Sequence, residues 1–108
     1  MAVSVSEARS LALSLPEAVE QDHHGRPSFR VGGKIFATQY TEERMNVMLD
    51  EGGILTALHA LPAASREVWW GKRLVAVGVT LARVEPDQLS ELLTDAWEQK
   101  APKRLLSP

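Results

Sequence analysis

The run Phe29-Arg30-Val31-Gly32-Gly33-Lys34-Ile35-Phe36-Ala37 constrains the fold of this chain more than any other stretch. Two strand-like segments flank a Gly-Gly pair, which suits a two-residue turn needing positive φ at both central positions. That register sets Val31 opposite Lys34 and Phe29 opposite Phe36. Phe29, Val31, Phe36, Thr38 and Tyr40 then share one face, and Arg30, Ile35, Ala37 and Gln39 the other. The first face is the expected core face.

The remaining elements follow from periodicity and punctuation. Ser4-Val5-Ser6-Glu7 has the capping-box form and opens a helix carrying Val5, Ala8, Leu11 and Ala12 at helical spacing. Leu15-Pro16 ends it, because the residue before proline is disfavoured in the α region. Val19 to His23 reads as a short edge strand. A turn at Thr41-Glu42-Glu43-Arg44 leads into the alternating strand Met45 to Leu49, and Gly52-Gly53 reads as a turn that breaks it. Ile54 to Leu61 is expected as a short helix with Ile54, Leu55, Leu58 and Leu61 on one side. Val68 to Trp70 and Leu74 to Val79 form a second hairpin around Gly71-Lys72. Glu85-Pro86-Asp87-Gln88 starts a strong closing helix, with Pro at the first helical position and acids beside the dipole. Val84 and Leu89 are placed for a hydrophobic staple, and Leu89, Leu92, Leu93, Ala96 and Trp97 make one apolar stripe. Pro102 ends that helix and leaves a basic-apolar tail, Lys103-Arg104-Leu105-Leu106. The order predicts an α+β fold: a single domain over 1–108, with an antiparallel sheet and helices packed on one face.

Length and composition limit the functional classes. With 108 residues there is room for one core. The absence of cysteine excludes thiolate catalysis, disulfides and Cys-ligated metal. No leader of signal type and no membrane-spanning apolar run are visible, so the chain is expected in the cytoplasm. Net charge is −2, which argues against broad electrostatic adhesion to nucleic acid. The cations are unevenly spread. Residues 1–64 hold five Lys/Arg against eight Asp/Glu, and residues 65–108 hold seven against six. Any anion-binding surface is therefore expected in the second half.

No enzyme site is expected. His23 and His24, if in a strand, point to opposite faces and cannot converge on one ion. His59 has no carboxylate or second histidine near it in sequence. The glycine pairs at 32-33 and 52-53 match no phosphate-binding loop, and no serine sits in a nucleophile elbow or a Ser-x-x-Lys motif. No metal or other cofactor is called for. An enzyme acting on an anionic substrate would instead need a titratable residue with a strongly shifted pKa in a cleft, with His23, His24 and His59 as candidates.

Trp69-Trp70-Gly71-Lys72-Arg73 remains. With the turn at Gly71-Lys72, Trp70 pairs with Arg73 and shares a face with Val68, Val75, Val77 and Val79, while Trp69 points the other way with Leu74 and Ala76. Tryptophan is usually highly buried, so one indole is expected in the core and the other beneath a loop. The functional alternative keeps an indole exposed beside Lys72 and Arg73, where it can stack on a base while the cations meet phosphates.

The chain resembles the MmcQ/YjbR family of small bacterial proteins. The likeness is carried by Ser14-Leu15-Pro16-Glu17-Ala18-Val19-Glu20, by Phe29 to Ala37, by Gly71-Lys72-Arg73 entering a strand, and by Ala101-Pro102-Lys103-Arg104-Leu105 at the end of the last helix. Many members follow the Lys-Arg with His-Trp, where this chain has Leu74-Val75, so no role of that pair carries over. The resemblance implies a CyaY-like (frataxin-like) α+β fold and a DNA-binding role described as a double wing. Its basic positions match Lys34, Lys72, Arg73, Lys103 and Arg104. Frataxins bind iron through an acidic ridge on their first helix, where this chain has Glu7 alone, so iron binding is not implied. The leading expectation is a non-enzymatic domain that contacts DNA or another nucleic acid weakly. Lys72, Arg73, Lys103 and Arg104 would meet phosphates and Trp69 or Trp70 would stack, on one platform. The rival expectation is a protein-interaction or small-molecule module with an apolar cleft near Trp69 and Trp70.

Overall fold

A computed structural model describes residues 3–106, so Met1, Ala2, Ser107 and Pro108 of the expected domain lie outside the described residues. Six antiparallel strands form one sheet in the order β1-β2-β3-β4-β6-β5. They are β1 (Val19–His23), β2 (Arg26–Val31), β3 (Lys34–Gln39), β4 (Arg44–Met48), β5 (Ser65–Trp70) and β6 (Arg73–Thr80). Helices α1 (Val5–Leu13), α2 (Glu51–Ala60) and α3 (Pro86–Lys100) pack on one face, and a four-residue α4 (Lys103–Leu106) closes the described chain. The expected α+β class, antiparallel sheet and one-sided helices are all present. The tail expected after Pro102 is this last short helix.

The helices form where capping and stripe agree. The Ser4 hydroxyl accepts from the Glu7 N–H and the Glu7 carboxylate accepts from the Ser4 N–H, each at 3.0 Å. Leu89, Leu92, Leu93, Ala96 and Trp97 are buried along α3, and Val84 and Leu89 are fully enclosed where the staple places them. Each buried valine or leucine among them stabilises the fold by about 1.5–3 kcal/mol. Gly52-Gly53 is not a turn. Asp50 caps α2 by accepting the Gly53 N–H at 2.8 Å, so both glycines lie in the first helical turn. A Cβ on Gly53 would come within 3.2 Å of Leu49 Cβ and 3.1 Å of Asp50 Oδ1, which explains the small residue there. On α2, Ile54 and Ala57 are buried and Leu58 and Leu61 pack beside them, whereas Leu55 turns outward.

Two β-bulges correct the expected faces. In the β2–β3 pair Val31 does face Lys34, but Arg30 aligns with Ile35 and Phe29 with Ala37, which leaves Phe36 as the extra residue. An inserted residue reverses the alternation beyond it. Phe36 and Ala37 both enter the core, Gln39 joins them on the helix side, and Thr38 and Tyr40 move to the opposite face with Ile35. In the β5–β6 pair Trp70 faces Arg73 as expected, but Trp69 aligns with Leu74 and Val68 with Ala76, so Val75 is extra. Val77 and Val79 therefore lie in the core, while Val68, Trp70 and Ala76 lie on the face away from the helices.

Candidate nucleic-acid interface

The face of the sheet turned away from the helices is the candidate site. Strand alternation and register decide what stands on it. From β2 come Arg26, Ser28 and Arg30, because Phe29 and Val31 between them are core. β3 and the residue after it give Ile35, Thr38 and Tyr40. β4 gives Arg44, Asn46 and Met48, opposite Thr80, Gly78 and Ala76 of β6. The edge strand β5 gives Arg66, Val68 and Trp70, with Arg73 beside Trp70. Across the other edge, His23 aligns with Arg26.

Five arginines (26, 30, 44, 66 and 73) thus stand on one sheet face. The three acids carried by strands, Glu20, Asp22 and Glu67, all fall on the helix side by the same alternation: Glu20 aligns with Phe29 and Glu67 with Val77. Arg9 of α1 pairs with Glu20 there at 2.5 Å. Among the described residues none of the five arginines makes an ion pair. Arg26, Arg30 and Arg44 are held instead by neutral partners. Arg26 Nε donates to the Tyr40 carbonyl at 2.9 Å, and Arg30 Nε donates to Ser28 Oγ at 3.1 Å. The guanidinium carbons of Arg26 and Arg44 lie 4.5 and 4.4 Å from the Tyr40 ring centroid, so the phenol is in cation–π contact with both.

This face is hollow. A groove of about 970 Å³ runs from His23 and His24 at one edge to Trp70 and Arg73 at the other, with Asn46 and Met48 among its lining and Gln99 and Lys100 at its rim. The acids that reach it, Asp50 and Glu51, belong to the start of α2. Gly78 makes room within the face. A Cβ there would meet Arg66 Cγ at 2.9 Å, Arg44 Cδ at 3.3 Å and Asn46 Oδ1 at 3.3 Å, so three polar side chains converge over a residue without one.

The residues singled out from sequence divide into two groups. Trp69 and Trp70 are 50% and 62% exposed, so neither indole fills the core as expected. The buried tryptophan is Trp97, whose Nε1 donates to the Pro16 carbonyl at 2.9 Å. Trp70 faces the groove beside Arg73, whereas Trp69 lies on the reverse side of β5 with its Nε1 bonded to Glu67 Oε1 at 3.1 Å. Lys72 is exposed at the hairpin tip, and Lys34 is exposed beside the Gly32-Gly33 turn. Lys103 and Arg104 lie elsewhere. Pro102 packs at Gly32, and Arg104 forms a bidentate pair with Glu17 at 2.7 and 2.8 Å. That pair lowers the Glu17 pKa and raises that of Arg104, in both cases through the hydrogen bonds between them. Three inter-strand spacings, roughly 14 Å, separate β2 from β6. Tail and hairpin tip are thus anchored on different strand pairs, with the tail cation Arg104 engaged by Glu17.

The histidines also differ from expectation. His24 leaves the strand with φ +54°, ahead of Gly25 at +83°, which turns its ring back to 4.5 Å from that of His23 in an edge contact. Even so, among the described residues no group of three His, Asp or Glu side chains is placed to hold a metal ion. Nor is any helix among them long and apolar enough to cross a membrane.

Arg26, Arg30, Arg44 and Arg66 are candidate residues that sequence reading missed. Counting charge by halves of the chain hid them, because the sheet collects cations from both halves on one side and sends acids to the other. The i, i+4 spacing of Arg26 and Arg30 on one strand was the available signal.

Comparison with known proteins gives a family and a fold. The model of the YjbR family matches residues 13–99. The crystal structure of Deinococcus radiodurans protein DR2400, a protein of the domain family DUF419, superimposes with a TM-score of 0.74 at 21% identity, covering 98% of this chain and 90% of that one. No functionally curated protein matches the chain.

Proposed function

Taking as premise that the chain belongs to the YjbR family, we propose that it is a binding domain that holds a nucleic-acid backbone across the open face of its sheet. One observation carries this reading: five arginines with no ion pair among the described residues stand on one sheet face to which the strands contribute no acid, and two of them, Arg26 and Arg73, line its groove. Guanidinium groups match phosphate oxygens in planar, bidentate geometry, and a polyanion supplies the counter-charge that the fold leaves out. Trp70 and Tyr40 add flat rings within the same face for stacking on bases. The hairpin tip with Lys72 extends the surface at one end, while Arg104, engaged with Glu17, stands apart from it.

A titration of fluorescent oligonucleotides at about 50 and 200 mM salt tests the reading. If all five arginines meet phosphates, the log–log salt slope should be roughly −3.5 for a single strand and −4.5 for a duplex. No binding at low salt, or a slope near zero, would defeat it. A second reading rests on the groove itself, whose volume also lies in the range of small-molecule sites. In that case a mononucleotide or similar aromatic anion should bind as tightly as an oligonucleotide.

A further inference from the structure

The two edges of the sheet are built differently. β1 carries Glu20 and Asp22, and pairing it with a second β1 about Gln21 would set acid against acid. Charges so placed guard an edge against pairing with its own copy. β5 instead carries two exposed indoles, Trp69 and Trp70, on opposite sides of the strand. Aromatic residues left in solvent are enriched at protein interfaces. The backbone of β5 is also open to a partner. The Thr80 N–H donates to the Ala64 carbonyl at 2.8 Å, which makes Ala64 and Thr80 a hydrogen-bonded pair at the start of the β5–β6 ladder. By alternation Arg66, Val68 and Trp70 turn their backbone groups towards β6, and Ser65, Glu67 and Trp69 turn theirs to the open edge. Among the described residues no backbone group bonds to that edge.

We infer that β5 pairs antiparallel with β5 of a second copy of this chain, joining two six-stranded sheets into one. The side chains specify the register. Directly opposed residues share a face, so the two-fold axis passes through a residue of β5. With Glu67 on the axis, the acid would meet its own copy, like charge on like. With Val68 on the axis, an apolar pair forms the centre and every flanking pair is complementary. Arg66 then lies opposite Trp70 of the second copy on the open face, in position for a cation–π contact. Glu67 lies opposite Trp69 of the second copy on the helix side. These two groups already bond within one chain, Trp69 Nε1 to Glu67 Oε1 at 3.1 Å, so the same donor and acceptor can bond across the junction. Glu67 and Trp69 are also the residues whose backbone groups face outward, and in this register they exchange the ladder hydrogen bonds. The axis stands perpendicular to the sheet, so both sets of open-face arginines lie on one side of the pair. The pairing does not depend on nucleic-acid binding.

Sedimentation equilibrium of the intact chain over about a hundredfold range of concentration tests the inference. The mass should rise from one chain to two, and amide hydrogen exchange at Glu67 and Trp69 should slow at least tenfold across the same range. Trp69→Glu sets a carboxylate against Glu67 of the second copy and should hold the protein at the mass of one chain. The position is exposed, and the unfolding midpoint checks that the fold is kept. Adding Glu67→Lys to Trp69→Glu puts opposite charges across the junction again and should restore the doubled mass. The mass of one chain throughout for the unaltered protein overturns the inference and leaves the edge to an extended peptide of another protein. A doubled mass that Trp69→Glu does not change, or a loss that Glu67→Lys does not repair, overturns it as well. So does doubling without slowed exchange at Glu67 and Trp69, whatever the variants do.

Discussion

At the scale of single residues, unlike environments separate side chains of one type. Three tryptophans illustrate it: Trp97 is sealed against Pro16, while Trp69 and Trp70 stand in solvent on opposite sides of β5. Acrylamide should therefore quench most of the native fluorescence, and Trp70→Phe should remove about half of the quenchable signal without lowering stability. Trp97→Phe leaves the Pro16 carbonyl unpaired and a void beside it, so it should cost roughly 2–3 kcal/mol in a denaturant melt. Glu17 gives a pH signature. Its folded pKa is depressed by Arg104, so its contribution is present above the ordinary carboxylate pKa and is lost as pH falls through the lowered value. Glu17→Gln should flatten that part of the acid-stability curve, whereas an unchanged curve would show the pair to be energetically silent. The pair is solvent-exposed, so the effect should be small and further weakened by salt.

At the scale of elements, hairpins were legible in the sequence where turn chemistry is local, and their faces were misassigned where a bulge intervened. Gly32-Gly33 and Gly71-Lys72 mark turns because positive φ is written into glycine: the three glycines adopt +57°, +80° and +60°. Neither bulge has such a marker. Phe36 and Val75 are ordinary strand residues, and what inserts them is the need to seat Phe36 and Ala37 together in the core and to bring Trp70 and Arg73 to the open face while Val77 and Val79 stay inside. That is a tertiary requirement, invisible to alternation within one strand. The α3 stripe was fully legible because helix periodicity and capping coincide there. Gly52-Gly53 was misread because its role is steric crowding against Leu49 and Asp50. Gly32→Ala tests the turn and its packing at once. The new Cβ would adopt a disfavoured φ and sit 3.0 Å from Pro102 Cδ, so a loss of about 1–2 kcal/mol is expected in an unfolding titration. Gly33→Ala, with open space at its Cβ, should lose only the part due to φ.

At the scale of the whole molecule, a net charge of −2 conceals a polarised body. The strands place five arginines on one side and their three acids, with Lys34, on the other, and α3 adds Asp87, Glu91, Asp95 and Glu98 on the helix side of the sheet. Composition therefore argued against anion binding while the fold builds a face suited to it. Polarity of this kind should also make binding oriented and steeply dependent on salt, since the acidic side repels a second strand. The measurement that reaches the central claim most directly compares two double variants in one anisotropy titration with a labelled single strand at low salt. Arg26→Glu with Arg73→Glu reverses charge at both ends of the open face, and Lys103→Ala with Arg104→Ala removes the tail cations. Affinity should fall at least a hundredfold for the first pair and less than threefold for the second. A large loss on the tail variant with little on the sheet variant would contradict the account.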